Sequence, residues 1–150
     1  MTREIMTKEF VFIYGTLKQG QCRDGSMLEA RYLGIALTTP KFAMYNVGDY
    51  PALISDNLSV DRRVCGELYE CDEGLMRDLD RIEGVPHLYK RDTVELDRID
   101  LAQLPATLHT HNQFEQKRAI SYFYVNQERL IEEAELIETG FWTDELKKGF

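Results

Sequence analysis

Apolar residues in this chain are concentrated in short runs separated by glycine, proline and acidic residues. The first run, residues 10–14, is continuous and made of β-branched and aromatic residues, which is typical of a strand buried on both faces. Similar runs predict further strands over residues 32–38, 42–47, 52–54, 64–70, 88–96 and 119–125. The pattern therefore indicates a fold dominated by strands.

One segment in the middle of the chain has the spacing of an amphipathic helix. Asp72 is suited to cap its first turn, and Gly84 is suited to end it. A helix over residues 73–83 places four apolar side chains on one face, namely Leu75, Met76, Leu79 and Ile82. This helix is expected to pack that face against the sheet.

The last part of the chain predicts a second amphipathic helix over residues 128–138, which Gly140 ends. Phe141 and Trp142 are then expected to anchor the tail to the body of the protein. Before this helix, residues 98–118 are polar and predict an irregular, mobile loop.

Strands thus outnumber helices, and the first helix alone lies between clear strands. This order differs from the alternation of strands and helices that builds a doubly wound parallel sheet. The pattern predicts an α+β fold, in which a small mixed, mostly antiparallel sheet closes into a β-barrel with few helices. The length of 150 residues, without repeats or linkers, predicts a single domain over 1–150 with a C-terminal helical extension over 127–150.

Charge and cysteine content narrow the class of protein. The chain has 26 Asp and Glu against 18 Lys and Arg, a net charge of −8, so general binding to nucleic acid is not expected. It has no apolar run of about 18 residues and no signal-peptide pattern, so we expect no membrane association. Cys22, Cys65 and Cys71 lack CxxC spacing, which predicts free thiols in a reducing cytoplasm.

The first candidate for chemistry lies where the first strand ends, at Tyr14, Gly15, Thr16 and Leu17. Glycine permits a sharp turn and a close approach of ligand to backbone amides, which can bind carboxylates or phosphates. The segment fits neither the GxxxxGK[ST] phosphate loop nor GxGxxG. On local sequence alone, an ordinary strand-ending turn is the favoured interpretation.

The second candidate is Glu83, in the last turn of the first helix. Exposed carbonyl groups carry partial negative charge there, and Asp80 adds a like charge three residues earlier. Both effects, together with partial burial, are expected to raise the pKa of the Glu83 carboxyl group toward the range useful for general acid–base catalysis. A solvated surface glutamate is the simpler interpretation, and Arg81 can cancel part of the shift.

Other polar residues are assigned structural or solvent-exposed roles. His109 and His111 alternate in a polar loop without a carboxylate or thiol at ligand spacing, which favours a solvated loop over a metal site. His87 is interpreted as an exposed turn residue. Tyr89 and Arg91 share one face of a predicted strand and are interpreted as support for the fold.

Together, four segments in order resemble the γ-glutamylcyclotransferase-like family, and most of all its subgroup that contains γ-glutamylamine cyclotransferase. The matching segments are residues 12–18 (FIYGTLK), 49–53 (DYPAL), 66–69 (GELY), and 79–84 with 89–91 (LDRIEG, YKR). The resemblance covers about residues 10–125. An ordered set of matches is far more specific than any one of them.

The resemblance implies an enzyme with transferase or lyase chemistry. Members of the family attack the γ-carbonyl of a γ-glutamyl group with its own α-amine, and they release 5-oxoproline and an amine or amino acid. It implies Glu83 as the proton acceptor and donor. It implies as substrate-binding residues Tyr14, Gly15, Thr16, Leu17 and, by a looser match, Tyr122. No metal or organic cofactor is implied.

Two alternatives remain open from the sequence. The same scaffold can carry a non-catalytic module that binds a small metabolite or peptide end, or an enzyme that removes an amine from a larger γ-glutamylated product. Residues 98–118 and the C-terminal extension depart from compact family members, and they are candidates to cap the pocket or to form a homodimer contact. The enzyme hypothesis requires Glu83 to face the turn after the first strand across a gap sized for an amino-acid head group.

Overall fold

The structure is a computed structural model that describes residues 8–15, 17–18, 24–27, 30–48, 50–56, 63–106 and 117–142. Within these residues the chain forms eight strands and two α-helices. The strands are β1 (Lys8–Ile13), β2 (Arg31–Thr38), β3 (Phe42–Asn46), β4 (Pro51–Ser55), β5 (Cys65–Asp72), β6 (Tyr89–Leu101), β7 (Arg118–Tyr124) and β8 (Glu135–Leu136). The helices are α1 (Glu73–Ile82) and α2 (Gln127–Glu133).

Five strands close into a barrel. The pairs β1–β5, β5–β2, β2–β6 and β6–β7 are antiparallel. A parallel pairing of β7 with β1, which places Val11 opposite Ile120, completes the ring. β4, β3 and β8 continue the sheet outward from β7. The predicted α+β fold, with a mixed, mostly antiparallel barrel and few helices, is confirmed.

The first strand separates two apolar cores. Alternation along a strand directs successive side chains to opposite faces. Phe10 and Phe12 belong to the cluster inside the barrel, whereas Val11 and Ile13 belong to a second cluster that includes the apolar face of α1. The prediction that this strand is buried on both faces is therefore confirmed, and its C-terminal end is rigidly held between the two cores.

Helix α1 begins and ends much as its sequence predicts. The Asp72 carboxylate accepts a hydrogen bond from the Leu75 N–H at 2.9 Å, so the predicted N-cap is confirmed. The helix ends at Ile82, with Glu83 as its C-cap and Gly84 in the left-handed region at φ +67°. Three side chains of the predicted apolar face are buried, namely Leu75, Met76 and Leu79.

The predicted loop over residues 98–118 is wrong at its start, because β6 continues to Leu101. Residues 96–101 pair with β2, and this pairing explains why apolar and polar residues alternate along the stretch. Ile99 and Leu101 pack against the core inside the barrel, while Arg98 and Asp100 are exposed. The period of two in this polar stretch is therefore that of a strand with one face on the core. Residues 107–116 lie outside the described part of the chain.

The second helix is shorter than predicted. It ends at Glu133, and Ala134 already has extended backbone angles, φ −101° and ψ 155°. Strand β8 follows and pairs with β3. The backbone groups at this edge of β3 thereby gain hydrogen-bond partners. The helix predicted over residues 128–138 is thus wrong from residue 134 onward. The predicted anchor is confirmed for Trp142, which is fully buried in the cluster inside the barrel, and is wrong for Phe141, which is 45% exposed.

Two of the three cysteines lie in β5, and both are free thiols. Burial is the main cause that raises the pKa of the Cys71 thiol, to about 12, so this thiol stays protonated and unreactive near neutral pH. Cys22 lies outside the described residues. In the part of the chain that the structure describes, neither helix has the length and apolar character needed to cross a bilayer.

Candidate active site

A pocket lies where β1 and α1 end. Its lining includes every described member of the residue set predicted from sequence, namely Tyr14, Gly15, Leu17, Glu83 and Tyr122. Thr16, the remaining member, lies outside the described residues. The pocket has a volume of about 60 Å³, measured as the space open to the centres of water-sized molecules. One water needs about 10–15 Å³ on this measure, so the space suits a small polar head group.

Gly15 allows β4 to lie directly beside the end of β1. A Cβ atom at position 15 would lie 2.8 Å from Cγ and 2.9 Å from Cδ of Pro51, closer than carbon atoms can approach. The carbonyl of Gly15 accepts a hydrogen bond from the Lys18 N–H at 3.0 Å, which closes the turn. Glycine is therefore required here by packing, and the pocket wall depends on it.

The Gly15→Ala variant is expected to lose about 1–3 kcal/mol of unfolding free energy, because the rigid Pro51 ring must move to admit the methyl group. Urea unfolding followed by circular dichroism measures this loss. Gly25→Ala is the matched control, since a Cβ there meets no atom of the described residues within 4 Å. Its effect should stay below about 1 kcal/mol. Equal effects of the two variants would contradict the packing requirement at position 15.

The backbone of Glu83 is fixed by the hydrogen bonds that end α1. The Glu83 N–H donates to the Leu79 carbonyl at 2.9 Å. The Gly84 N–H donates to the Arg81 carbonyl at 3.2 Å, and the Val85 N–H donates to the Asp80 carbonyl at 2.9 Å. These last two bonds form a Schellman motif, which the left-handed glycine makes possible. The half-buried Glu83 side chain consequently projects from a defined helix end beside the pocket.

Three buried tyrosines form much of the pocket wall. The Tyr14 hydroxyl donates to the Tyr122 carbonyl at 2.5 Å and accepts from the Leu53 N–H at 3.3 Å. The Tyr89 hydroxyl donates to the Pro51 carbonyl at 2.7 Å. The hydroxyl of Tyr122 donates to Oδ1 of Asp80 at 2.9 Å. Hydrogen bonds within the protein therefore hold all three rings in place.

Burial and the negative charge of Glu83 both raise the pKa values of these phenols. Burial is the largest cause that raises the pKa of Tyr14, Tyr89 and Tyr122 above the usual value. The negative charge of Glu83 raises each of these pKa values further. Glu83 is therefore within electrostatic reach of each of the three rings, and the phenols remain neutral at physiological pH.

The free energy of unfolding is expected to fall as the pH rises above about 10. Below that pH the phenols are protonated in both states, whereas above it the unfolded chain alone releases their protons. Each raised pKa contributes a slope of about 1.4 kcal/mol per pH unit in this range. Urea unfolding between pH 9 and pH 11 (about one unit either side of the usual tyrosine pKa) tests this.

Tyr89→Phe removes one of these titrating groups. The fall of unfolding free energy with rising pH should then be shallower by about the contribution of one titrating proton. Because the variant also loses the hydrogen bond to Pro51, its stability at neutral pH is lower, and the slope is the decisive quantity. A slope identical to that of the wild type would contradict the raised pKa of Tyr89.

Asp80 does not act on Glu83 as the unpaired like charge that the sequence suggested. Arg91 donates to both of its carboxylate oxygens, from Nε to Oδ1 at 2.7 Å and from Nη2 to Oδ2 at 2.6 Å. Arg81, which was expected to offset part of the shift at Glu83, pairs instead with Asp78. The raised pKa of Glu83 stays a prediction.

Several lining residues were not predicted as part of the site, namely Phe12, Ile13, Tyr50, Pro51, Ile82, Leu88 and Tyr89. The DYPAL segment among the family matches was a signal that could have identified Tyr50 and Pro51. Tyr89 and Arg91 do support the fold as predicted, and Tyr89 also forms a wall of the pocket. His87 is exposed, as expected.

The described residues contain no cluster of three or more histidine, cysteine, aspartate or glutamate side chains arranged to hold a metal ion. His109 and His111 lie outside the described ranges. The described residues that line the pocket offer one carboxylate, neutral phenols and backbone amides. This set suits proton transfer on a small molecule.

Comparison with known proteins relates the chain to a family. The family described as γ-glutamyl cyclotransferase, AIG2-like, matches residues 11–144. A provisionally named γ-glutamylcyclotransferase of Vibrio cholerae is 39% identical over 88 residues, which cover 59% of this chain and 73% of that protein. Rat γ-glutamylaminecyclotransferase is 34% identical over 93 residues, 57% of this chain and 62% of that protein. The structure of a mouse AIG2-like protein has a TM-score of 0.68 at 23% identity, covering 92% of this chain and 90% of that chain.

Proposed function

The chain belongs to the γ-glutamyl cyclotransferase, AIG2-like family, and from this membership we propose that it releases 5-oxoproline from a small γ-glutamyl amine or γ-glutamyl amino acid. One observation carries the proposal. Glu83, far along the chain from β1, lines the same small pocket as Tyr14, Gly15 and Leu17. Glu83 and the turn after β1 therefore border one small space, which supports the proposal.

The proposed reaction begins with proton transfer from substrate to Glu83. A free α-amine has a pKa of about 8, so near neutral pH it is mostly protonated and must lose a proton before it attacks. The amine nitrogen then bonds to the γ-carbonyl carbon and closes a five-membered ring. Glu83 returns a proton to the leaving nitrogen as the original amide bond breaks. The ring nitrogen gives up its second proton, by way of Glu83, to the departing amine. The products are 5-oxoproline and the protonated amine, and no further reactant is consumed.

The rest of the pocket supports this step by holding the substrate in a folded conformer. Ring closure is intramolecular, so fixing the reacting groups in contact supplies much of the rate enhancement. Backbone amides of the turn at Gly15 and Leu17 are proposed to bind the α-carboxylate or the developing oxyanion. The buried rings of Tyr14, Tyr89 and Tyr122 exclude water, which strengthens these electrostatic contacts.

An assay of 5-oxoproline release tests the proposal. The purified protein is incubated with γ-glutamylamines, γ-glutamyl dipeptides and glutathione, and 5-oxoproline and the released amine are both quantified. We expect equal amounts of the two products from at least one γ-glutamylamine or dipeptide. Binding of these compounds without turnover would instead favour a non-catalytic module. Turnover of larger γ-glutamylated products alone would favour an enzyme that removes an amine from them.

A further inference from the structure

Lys18, the last residue of the FIYGTLK segment, has no part in the proposed reaction, yet it is almost completely buried. Only 2% of the residue is exposed. Burying an ammonium group costs free energy unless partners in the protein replace water. Burial is the largest cause that lowers the pKa of Lys18, and the negative charge of Glu67 opposes this shift. The ammonium group therefore lies in a water-poor site, where its contacts with the protein are strong.

The ammonium group of Lys18 contacts the C-terminal tail, a name used here for residues 140–142. Nζ of Lys18 donates to the Trp142 carbonyl at 2.7 Å, and it lies 3.8 Å from the centroid of the Phe141 ring. The hydrogen bond is strengthened by the charge of its donor, and the face of an aromatic ring attracts a cation. The two contacts together hold the ammonium group at one place on the tail.

The C-terminal tail is itself held in place by the barrel. The Cys65 N–H in β5 donates to the Gly140 carbonyl at 2.7 Å. A Cβ atom at Gly140 would collide with the Arg63 carbonyl oxygen, so the backbones of the two segments lie very close together. The Trp142 ring is fully buried inside the barrel. Lys18 is thus bound to a fixed part of the fold.

The backbone of Lys18 belongs to the turn that is proposed to bind the substrate. Its N–H donates to the Gly15 carbonyl at 3.0 Å and closes the turn. Leu17 lines the pocket and belongs to the second apolar cluster, whereas Lys18 does not line the pocket. The turn is consequently held by β1 at its start and by the contact of Lys18 with the tail at its end.

These contacts give Lys18 an indirect part in the reaction, which rests on the proposed cyclotransferase function. We propose that Lys18 is a positioning residue, whose ammonium group fixes the turn at Gly15 and Leu17 to the C-terminal tail. The backbone amides of the turn are thereby held in the orientation that binds the substrate. A displacement of about 1 Å in such groups can cost about a hundredfold in rate. The tail, which does not line the pocket, is therefore required for tight binding of the γ-glutamyl head.

Removal of the ammonium group tests this role in steady-state kinetics. Lys18→Met keeps the apolar stem of the side chain and removes the charge. A variant that is merely less stable has fewer active molecules, which lowers the apparent kcat and leaves KM unchanged. A displaced turn holds the γ-glutamyl head less well, so we expect KM to rise by about tenfold or more. An unchanged KM would overturn the proposal.

Lys41→Met is the matched control for this substitution. The Lys41 side chain is 59% exposed and does not line the pocket, so the loss of its charge should leave KM at the wild-type value. An equal rise of KM in Lys41→Met and Lys18→Met would show a general effect of charge and would overturn the positioning role.

Phe141→Leu tests the same contact from the side of the tail and keeps Lys18. Phe141 is 45% exposed and does not line the pocket, so this variant is expected to fold even if Lys18→Met does not. KM should rise by about threefold, because the ammonium group loses the attraction of the ring. In the Lys18→Met background the same change should have no further effect, since both act through one contact. An unchanged KM in Phe141→Leu, or additive effects of the two changes, would overturn the proposal.

Amide hydrogen exchange separates failure of this proposal from failure of the proposed function, because it requires neither substrate nor turnover. Exchange of the N–H at residue 18 reports whether its hydrogen bond to Gly15 keeps the turn closed. We expect this exchange to be about tenfold faster in Lys18→Met, with the amides of β1 unchanged. That result supports the positioning role even if no 5-oxoproline is released. Wild-type exchange at residue 18, or equal acceleration in the turn and in β1, overturns it whatever the outcome of the release assay.

Discussion

Glutamine in place of Glu83 is expected to slow 5-oxoproline release by roughly 10²–10⁴-fold, the contribution of a well-placed general acid–base group. The amide has nearly the shape of the carboxylate but cannot accept the proton of the substrate amine. The loss should appear in kcat, because the variant pocket still holds the γ-glutamyl head. Steady-state kinetics with the best substrate of the release assay measure it.

Glu132→Gln is the matched control for this substitution. Glu132 is an exposed carboxylate on α2 and does not line the pocket, so this variant should retain the wild-type rate. Urea unfolding of both variants ensures that a lost rate is not lost folding. Full activity in Glu83→Gln would refute the proposed proton transfer, although it would leave the fold and family unaffected.

Removal of the indole ring at position 142 is expected to produce the largest loss of stability. Trp142 is fully buried among the residues inside the barrel, so Trp142→Ala should lower the unfolding free energy by about 3–5 kcal/mol. The Trp142 backbone is also held in place, because Nζ of Lys18 donates to its carbonyl at 2.7 Å. The cavity therefore cannot easily be filled by movement of the chain. Urea unfolding at neutral pH measures the loss.

Trp142→Phe distinguishes the contribution of ring size to stability from the contribution of the polar ring nitrogen. Nε1 of Trp142 finds no hydrogen-bond partner among the residues that the structure describes, so phenylalanine removes a buried unpaired donor while keeping much of the apolar volume. Its cost should be clearly smaller than that of alanine. Ile131→Ala, on an exposed face of α2, should change stability by less than about 0.5 kcal/mol. A loss below about 1 kcal/mol in Trp142→Ala would contradict the role of the indole in the core.

Features that depend on neighbouring residues could be predicted from the sequence. The β-branched and aromatic run of β1 predicted a strand buried on both faces. The Asp72 cap and Gly84 stop placed α1 to within one residue at its end. Because Glu83 follows directly from that helix end, its position relative to the helix was also predictable. Its position relative to Gly15 came from the family resemblance, since no local pattern relates two such distant segments.

Features that depend on distant partners could not be predicted. β6 extends through a polar stretch because β2 lies beside it, and α2 gives way to β8 because β3 offers an edge. The pairing of Asp80 with Arg91 joins a helix to a strand, so local charge spacing suggested the wrong neighbour for Asp80.

The parallel pairing of Val11 with Ile120 has a kinetic consequence. The ring of strands cannot close until residues more than a hundred positions apart have found one another, and many other strand pairs are also remote in sequence. Chains of such high relative contact order fold in roughly milliseconds to seconds, far more slowly than helical bundles of similar stability. During synthesis, one edge of β1 consequently has no hydrogen-bonding partner strand until β7 has left the ribosome.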